Sequence, residues 1–569
     1  MTASALAHSV PPGLVMLIGA LLIPLFRGHI RSAYMLALPV IGLLQLLLLD
    51  SGTHLSVQTL GLQLDLLRVD QLSLVFGYIF HIAAFVSVIY ALHVNDATQH
   101  VSGLTYAGAA TGALFAGDLV TLFVYWELTA VTSVFLIFAR RTPSAYRAGM
   151  RYLVIQVGSG VLLLTGIILH HIDTGSIAFD HLGLGSPATA IILVAFGIKA
   201  AFPLLHNWLQ DAYPEATVTG TVFLSAFTTK LAIYALTRGY AGTEILVWIG
   251  VTMTAFPIFY AVIENDLRRV LAYSLNNQLG FMVTGIGIGT DMAINGTVAH
   301  AFSHILYKAL LFMSMGAVLH RVGTIKGSEL GGLYKSMPWT AAFCIVGAAS
   351  ISAFPLFSGF ISKALIITAA AENGYFISWL ILLFASAGVF HHSGIKIPYF
   401  AFFAHDSGKR CAEAPWNMLV AMGIAAAFCI GIGVYPAPLY EILPFQVDFA
   451  PYTPTHVLTQ LQLLLFSALA FAVLIRYGVY PPELRSTNLD VDWLYRRLGP
   501  TLIKRVVAWI DHSARLLKED TKGQLKDFVD GVTRHHGPEG AMARTWPTGA
   551  TVLWVAILLG AFLIASFYA

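Results

Sequence analysis

The sequence predicts an all-α polytopic membrane protein with about sixteen transmembrane helices. Of its 569 residues, 57% are hydrophobic and 11% are charged, whereas about 25% are charged in a typical soluble domain. Apolar runs of bilayer length follow one another along most of the chain, and the loops between them alternate in charge. We therefore expect a bundle of helices in a lipid bilayer.

Each apolar run is roughly 15–30 residues long, and a helix needs about 20 residues to cross a bilayer. The runs lie near residues 10–28, 33–50, 71–93, 102–117, 119–139, 149–171, 188–206, 217–237, 244–263, 268–290, 293–319, 338–371, 376–403, 415–436, 457–477 and 548–568. Residues 1–12 carry no Lys or Arg, so we interpret the first run as a retained span rather than a signal peptide.

The loop charges predict the orientation, because cytoplasmic loops are enriched in Lys and Arg. With the N-terminus outside, the cytoplasmic loops hold Arg27, Arg31, Arg140, Arg141, Arg147, Arg268, Arg269, Arg321, Lys326, Lys335, Lys409 and Arg410. The opposite loops hold Asp65, Asp70, Asp173, Asp180, Asp291, Glu372, Glu441 and Asp448. We expect a bacterial inner-membrane protein with both termini outside.

A long polar stretch, 478–547, separates the last two runs. Within 501–534, apolar residues recur at steps of three and four, and the remaining positions are largely charged. This pattern predicts a long amphipathic helix along the cytoplasmic membrane surface. It could be a generic interfacial anchor or a lateral strut that braces neighbouring subunits.

Composition also excludes several functions. A net charge of +3 without a basic stripe argues against nucleic acid as a partner. Three scattered cysteines, Cys344, Cys411 and Cys429, are too few for a thiolate-held cluster, so we expect no cofactor or metal. The sequence has no nucleophile elbow, phosphate loop or dinucleotide fingerprint, and we assign no catalytic residue.

The informative residues are ionisable side chains inside the apolar runs. A charge at mid-bilayer costs at least about 2.5–3.5 kcal/mol, and such residues usually line ion or proton paths. His300, His304 and Lys308 are spaced i, i+4 and i+8, so they share one face of a helix. The candidates are Glu127, Lys199, Lys230, His300, His304, Lys308, Lys363 and Lys396.

Simpler explanations remain open for several of them. Lys363 and Lys396 lie towards span ends, where a lysine can extend its ammonium to the interface. Glu127 could form a structural ion pair with a lysine. His300 and His304 could bind zinc together, although their helix face supplies no third ligand. A proton relay fits the histidines better, because the unperturbed pKa of histidine lies near neutrality.

The sequence Ala-Phe-Pro-Leu occurs twice, at Ala201–Leu204 and Ala353–Leu356, each time near an intramembrane lysine. We expect Pro203 and Pro355 to break their helices and expose backbone dipoles near the membrane centre. The two motifs lie five spans apart, so they cross in opposite directions. This pattern predicts two inverted five-helix repeats that form a transport path.

The predicted domain organisation follows from these repeats. Residues 101–240 form the first repeat and residues 241–405 the second. They are flanked by transmembrane helices at 1–100 and 406–480, by the amphipathic lateral helix at 481–547 and by a final transmembrane helix at 548–569.

The motifs resemble the antiporter-like subunits shared by respiratory complex I, membrane-bound hydrogenases and Mrp-type sodium/proton antiporters. The matching pieces are Trp126-Glu127, Gly197-Ile-Lys199 followed by Pro203–Leu209, Asp211–Ala216, Lys230, Asp266–Ser274, His300–His304 with Lys308–Phe312, and Phe357–Lys363. Residues 394–403 and 490–496 resemble the D-type component of Mrp antiporters. The long surface helix also resembles the lateral arm of the distal complex I subunit.

The resemblance implies a proton path along the membrane midplane. Glu127 would pair with Lys199, Lys230 would be the central proton-holding lysine, and Lys363 would be the terminal group. The resemblance implies that His300, His304 and Lys308 connect the two halves. It gives Lys396 no fixed place, and we keep it as a candidate.

Three functions are compatible with these motifs. The first is the proton-translocating subunit of a multisubunit sodium/proton antiporter. The second is a proton-pumping membrane subunit of complex I or of a hydrogenase, and the third is a membrane subunit of an inorganic-carbon uptake system. All three imply other membrane subunits as partners and protons as cargo. Passage of sodium through this chain is left open.

Overall fold

The computed structural model describes residues 7–59, 61–481, 483–484, 488, 490–540, 543–544 and 547–568. Two compact units divide the chain, Met1–Asn488 and Leu489–Ala569. The first unit contains all eight candidate residues. Most of its polypeptide is helical, as the apolar runs predict.

The first unit begins with α1 (Pro12–Leu21) and α2 (Gly28–Leu46). A two-stranded antiparallel hairpin follows, formed by β1 (Gly52–Thr59) and β2 (Leu62–Val69). The hairpin is an addition to the predicted all-α fold. Leu55 and Val57 in β1 and Leu62 and Leu64 in β2 alternate with polar residues, and this period of two is a strand signal.

The helices as far as residue 240 include the first predicted repeat. They are α3 (Gln71–Ala91), α4 (Ala97–Leu114), α5 (Leu119–Phe138), α6 (Pro143–Thr174), α7 (Pro187–Lys199), α8 (Asn207–Ala212), α9 (Gly220–Ala226) and α10 (Thr228–Tyr240). Aspartates cap three of these helix starts, and Asp96 accepts a hydrogen bond from the Thr98 amide. Asp70 accepts a hydrogen bond from the Ser73 amide, and Asp118 accepts one from the Thr121 amide.

The rest of the first unit contains α11 (Ile245–Ile263), α12 (Leu267–Ile288), α13 (Asp291–Val322), α14 (Pro338–Ile351), α15 (Ser358–Glu372), α16 (Phe376–Val389), α17 (Trp416–Val434), α18 (Ala437–Glu441) and α19 (Pro454–Arg476). After α16 the chain continues through π-helical turns at Phe390–Ile395 and Tyr399–Phe403. The Gly-Ile-Lys-Ile-Pro segment, with its lysine and proline, lies where these wider turns meet.

Each of the sixteen predicted runs overlaps at least one helix, but the helices differ in their ability to span a bilayer. Among the described residues, 11 helices are long and apolar enough to cross a membrane, and three apolar helices are shorter. Two of the shorter ones, α7 and α14, end early because the chain breaks before Pro203 and Pro355. The chain is therefore a multi-pass membrane protein.

Arg268, which the charge pattern places in a cytoplasmic loop, is buried at the start of α12. Its guanidinium donates hydrogen bonds to the carbonyls of Tyr213, Pro214, Ala216 and Thr217, and to the Thr221 hydroxyl. These acceptors lie between α8 and α9 or at the start of α9. Arg268 thus joins the two predicted repeats. The many backbone acceptors compensate for the free-energy cost of burying its charge.

The second unit consists mainly of two helices. The first, α20 (Gly499–His536), contains the predicted amphipathic segment and extends about 57 Å at 1.5 Å per residue. The second, α21 (Thr548–Tyr568), is uniformly apolar. No residue of either helix is buried among the described residues.

Candidate functional site

The two Ala-Phe-Pro-Leu motifs adopt the same unusual backbone conformation. The backbone φ angle is +61° at Ala201 and +70° at Leu204, and it is +57° at Ala353 and +74° at Leu356. Non-glycine residues rarely have positive φ, and two such pairs with identical spacing indicate the same turn in both places. The turns separate α7 from α8 and α14 from α15, as the proline argument predicts.

Lys199 is the last residue of α7 and is completely buried. Its ammonium donates to the Trp126 carbonyl at 2.5 Å and to the Thr129 hydroxyl at 2.9 Å, and it lies 4.4 Å from the centroid of the Trp126 ring. Both acceptor residues are on α5, beside Glu127. The cation is therefore stabilised by a carbonyl, a hydroxyl and an aromatic face.

Glu127 lies on α5 next to these acceptors. No ion pair within 4 Å joins it to Lys199 among the described side chains, although the two charges interact electrostatically. Its Oε1 is buried without a described hydrogen-bond partner, directly over the backbone of Gly160 on α6. The carboxylate thus occupies space that exists because residue 160 has no side chain.

Lys230 lies where the eighth predicted run is interrupted. The α9 helix ends at Ala226 and α10 begins at Thr228, and Phe227 between them has φ −104° and ψ −67°, which are distorted from ideal helical values. The Lys230 ammonium donates to the Ser225 carbonyl at 2.6 Å and is completely buried. The carbonyl end of a helix carries partial negative charge, so this break supplies a neutral partner for a cation.

The three candidates on α13 lie on one buried face of that helix. His300 is 3.0 Å from the Ser362 hydroxyl and 3.3 Å from the Tyr307 hydroxyl. The ring centroids of His300 and His304 are 6.2 Å apart. Neither ring nitrogen of His304 nor the ammonium of Lys308 has a hydrogen-bond partner among the described residues. The predicted stripe is therefore present as a row of buried titratable groups.

No group of three or more His, Cys, Asp or Glu side chains in the described part of the chain is arranged to hold an ion. A zinc site needs at least three protein ligands in most cases.

The Lys363 side chain on α15 contacts the end of the preceding helix, α14. Its ammonium donates to the carbonyl of Ile351, the last residue of α14, at 2.6 Å, and lies 5.2 Å from the Phe281 ring centroid. The neighbouring residue, Ser362, contacts His300. Lys363 is 1% exposed, so it does not extend to the interface.

The Lys396 ammonium, like that of Lys363, donates to backbone carbonyls at the end of a helix. Its ammonium donates to the carbonyls of Ala261, Val262 and Glu264 at 3.2, 2.6 and 2.7 Å, where α11 ends. It also forms an ion pair of 3.0 Å with Glu483. The side chain is completely buried, so protein encloses its ammonium.

Further buried polar side chains lie within the predicted spans, beyond the eight candidates. Their polar atoms have no hydrogen-bond partner among the described residues: Gln156 on α6, Asn276 on α12, and Ser303 on α13. Buried polar atoms of this kind are normally satisfied by water. The sequence analysis missed these residues because it searched the apolar runs for ionisable side chains, and these side chains are uncharged. A search for any polar residue inside an apolar run would find them.

Comparisons with known proteins agree with this architecture. The family model described as "NADH:quinone oxidoreductase/Mrp antiporter, TM" matches residues 116–387, which include every candidate except Lys396. The D component of the sodium/proton antiporter of Alkalihalophilus pseudofirmus is 30% identical over 353 residues, covering 58% of this chain and 71% of that protein. Hydrogenase-4 component B of Escherichia coli K12 is 28% identical over 372 residues, covering 56% of this chain and 55% of that protein.

A solved structure, the Mrp complex from Dietzia sp. DQ12-45-1b, contains a chain with the same fold. It superposes with a TM-score of 0.73 at 24% sequence identity, covering 98% of this chain and 62% of that chain. The chain therefore belongs to the family of antiporter-like membrane subunits shared by NADH:quinone oxidoreductases and Mrp antiporters.

Proposed function

We propose that this chain translocates protons as a subunit of a multisubunit sodium/proton antiporter. The observation that carries the proposal is the series of ionisable side chains from Glu127 to Lys396, in which Glu127 is partly buried and the other seven are buried. Four of the lysines donate to backbone carbonyls, and Lys308 has no described hydrogen-bond partner. A transport path requires groups that can exist with and without a proton inside the membrane.

The contacts support an order for the proposed path. Glu127 and Lys199 lie at one end, and Lys230 contacts the next helix break. His300, His304 and Lys308 lie on one continuous helix, and Ser362 links His300 to the element that carries Lys363. Proton transfer between these groups through hydroxyls and bound water would connect the two halves.

The two inverted repeats, 101–240 and 241–405, are part of this proposal. Their support is the shared turn at Ala201–Leu204 and Ala353–Leu356, in which the same four residues adopt the same pattern of positive φ angles. In both repeats the turn places the end of a half-helix beside a buried lysine, Lys199 or Lys363. This arrangement is typical of transporters built from inverted repeats.

The partners and orientation are also proposed. The similarity to a chain of the Mrp complex supports assembly with other membrane subunits. The alternation of basic and acidic loops supports external termini in a bacterial inner membrane, with α20 on the cytoplasmic side. Single cysteines in the 404–414 loop and after residue 568, placed in a variant without the three native cysteines, would test this orientation by labelling with a membrane-impermeant reagent.

The proton path can be tested in vesicles that contain the whole complex. We expect Glu127→Gln and Lys230→Met to reduce proton transport at least about tenfold per assembled complex, because each removes a titratable group. Glu372→Gln and Lys335→Met are matched controls, since both residues are exposed and should have little effect. Full transport in both path variants would contradict the proposal.

A redox-driven complex is the second candidate, and the similarity to hydrogenase-4 component B favours it. The two candidates differ in their driving force rather than in the proton path of this chain. Radiolabelled sodium flux in vesicles with the purified complex separates them. Sodium exchange driven by a pH gradient supports the antiporter, whereas proton pumping that requires an electron donor and no sodium supports the redox complex.

A further inference from the structure

Glu483 is a buried carboxylate beyond the sequence candidates and outside the matched family region of 116–387. It follows α19 and lies in the first unit, before the segment that leads to α20. Its side chain is 7% exposed, and its Oε1 lies 3.0 Å from the Lys396 ammonium, which is completely buried. The carboxylate that pairs with this lysine therefore belongs to a segment distant in sequence.

Leu484 and Asn488, the next described residues after Glu483, contact residues at the end of α11 or just beyond it. Leu484 accepts a hydrogen bond from the Asn265 side chain at 3.2 Å, and the Asn488 side chain donates to the Ile263 carbonyl at 3.3 Å. On the other side of Glu483, the Tyr480 ring stacks on His391 with centroids 5.6 Å apart. These contacts fix the position of the carboxylate, so the ion pair is part of a packed structure.

The charges around Lys396 come from three elements. Glu483 follows α19, Glu264 lies at the end of α11, and His391 and His392 are on the same element as Lys396. Glu264 is already paired with Arg269 at 3.6 Å and accepts from the Asn265 and Asp266 amides. Glu483 is the carboxylate in direct contact with the ammonium.

We propose that Glu483 exchanges a proton directly with Lys396 and forms the end of the proton path beyond Lys396. In the transfer step, an N–H bond of the Lys396 ammonium breaks and an O–H bond forms at Glu483 Oε1. The products are a neutral amine and a neutral carboxylic acid. This inference rests on the proposed function, and it assigns Lys396 the place that the family resemblance leaves open.

Two further observations support the transfer. Burial raises the pKa of the Glu483 carboxyl above its usual range, against the opposing effect of the Lys396 ammonium, and a carboxyl with a raised pKa accepts protons more readily. After transfer, the amine still lies beside the carbonyls of Val262 and Glu264, which are neutral. The reaction therefore leaves neither partner as an unpaired charge inside the protein.

The test uses the complete complex in vesicles and measures proton transport per assembled complex across a pH series. We expect Glu483→Gln to reduce transport at least about tenfold, because an amide cannot exchange the proton. Glu483→Asp should retain a substantial part of the activity and shift the pH profile. Glu372→Gln, which replaces an exposed glutamate at the end of α15, is the matched control.

A double-variant comparison distinguishes proton exchange from packing. If Glu483 acts only through Lys396, Lys396→Met combined with Glu483→Gln should transport no less than Lys396→Met alone. Equal transport by Glu483→Gln and Glu372→Gln would overturn the inference, as would a defect confined to the amount of assembled complex. Loss of transport in Lys230→Met with full transport in Glu483→Gln would reject this inference while leaving the proposed function intact.

Discussion

Gly160 on α6 provides a way to move the Glu127 carboxylate without changing any titratable group. A Cβ atom at residue 160 would lie 1.5 Å from Glu127 Oε1 and 2.3 Å from its Cδ. Carbon and oxygen atoms do not approach closer than about 3.0 Å, so Gly160→Ala displaces the carboxylate by at least about 1.5 Å. The colliding atoms are the end of a flexible side chain, and we expect the helices to keep their positions.

The displacement changes the interaction between Glu127 and Lys199. For charges about 5 Å apart in an effective dielectric of about 20, a move to about 6.5 Å weakens the attraction by about 0.8 kcal/mol. This free energy corresponds to about a fourfold change in a proton-transfer equilibrium. We therefore predict that Gly160→Ala changes proton transport about fourfold.

Gly158→Ala is the matched control, because it makes the same substitution two residues earlier on α6. A Cβ atom at Gly158 meets nothing within 4 Å. Transport by reconstituted vesicles and thermal unfolding of the purified complex would be measured for both variants. Equal transport by the two variants would refute the assigned role of the carboxylate position, and a loss of folded protein in Gly160→Ala alone would refute the expectation that the helices stay in place.

Three further predictions concern other parts of the first unit. Arg268→Met should lower the free energy of unfolding by about 3 kcal/mol or more, because it leaves several buried carbonyls without a donor. Chemical denaturation in detergent measures this loss. An unchanged denaturation midpoint would contradict the prediction. Ala353→Gly should leave the stability unchanged or raise it by up to about 1 kcal/mol, since glycine adopts positive φ without strain. Ala348→Gly inside α14 is the control and should lower the stability by about 1 kcal/mol. Thermal unfolding of the purified complex measures both. Tyr307→Phe removes the hydroxyl next to His300 and should slow proton transport severalfold at unchanged stability, with transport equal to wild type as the contrary result.

Hydropathy is sufficient to locate the helices, because the bilayer requires long apolar segments whatever their tertiary contacts. The positions of Pro203 and Pro355 also predict the two broken helices. The break at Phe227 is not predictable in this way, since no proline or glycine marks it, and Lys230 has the sequence context of an ordinary mid-helix residue. The hairpin at 52–69 is predictable from its alternating residues but lies outside the hydropathy argument.

The partners of the candidate residues are harder to predict than the residues themselves. A buried charge stands out in an apolar run, but its partner is a backbone carbonyl for Lys230 and Lys363, and every residue has a carbonyl. Glu483 is an ordinary acidic residue in a polar stretch, and only the packing of its segment against α11 makes it a partner of Lys396. Tertiary contacts of this kind have no local sequence signature.

The use of backbone carbonyls as lysine partners has a consequence for mutagenesis. An alanine substitution at Ser225, Ile351 or Val262 changes the side chain but keeps the carbonyl that accepts the hydrogen bond. Scanning substitutions at these positions would therefore leave the stabilisation of the cations nearly intact. The partners can be altered only by changing the path of the main chain, through insertions, deletions or backbone-modified residues.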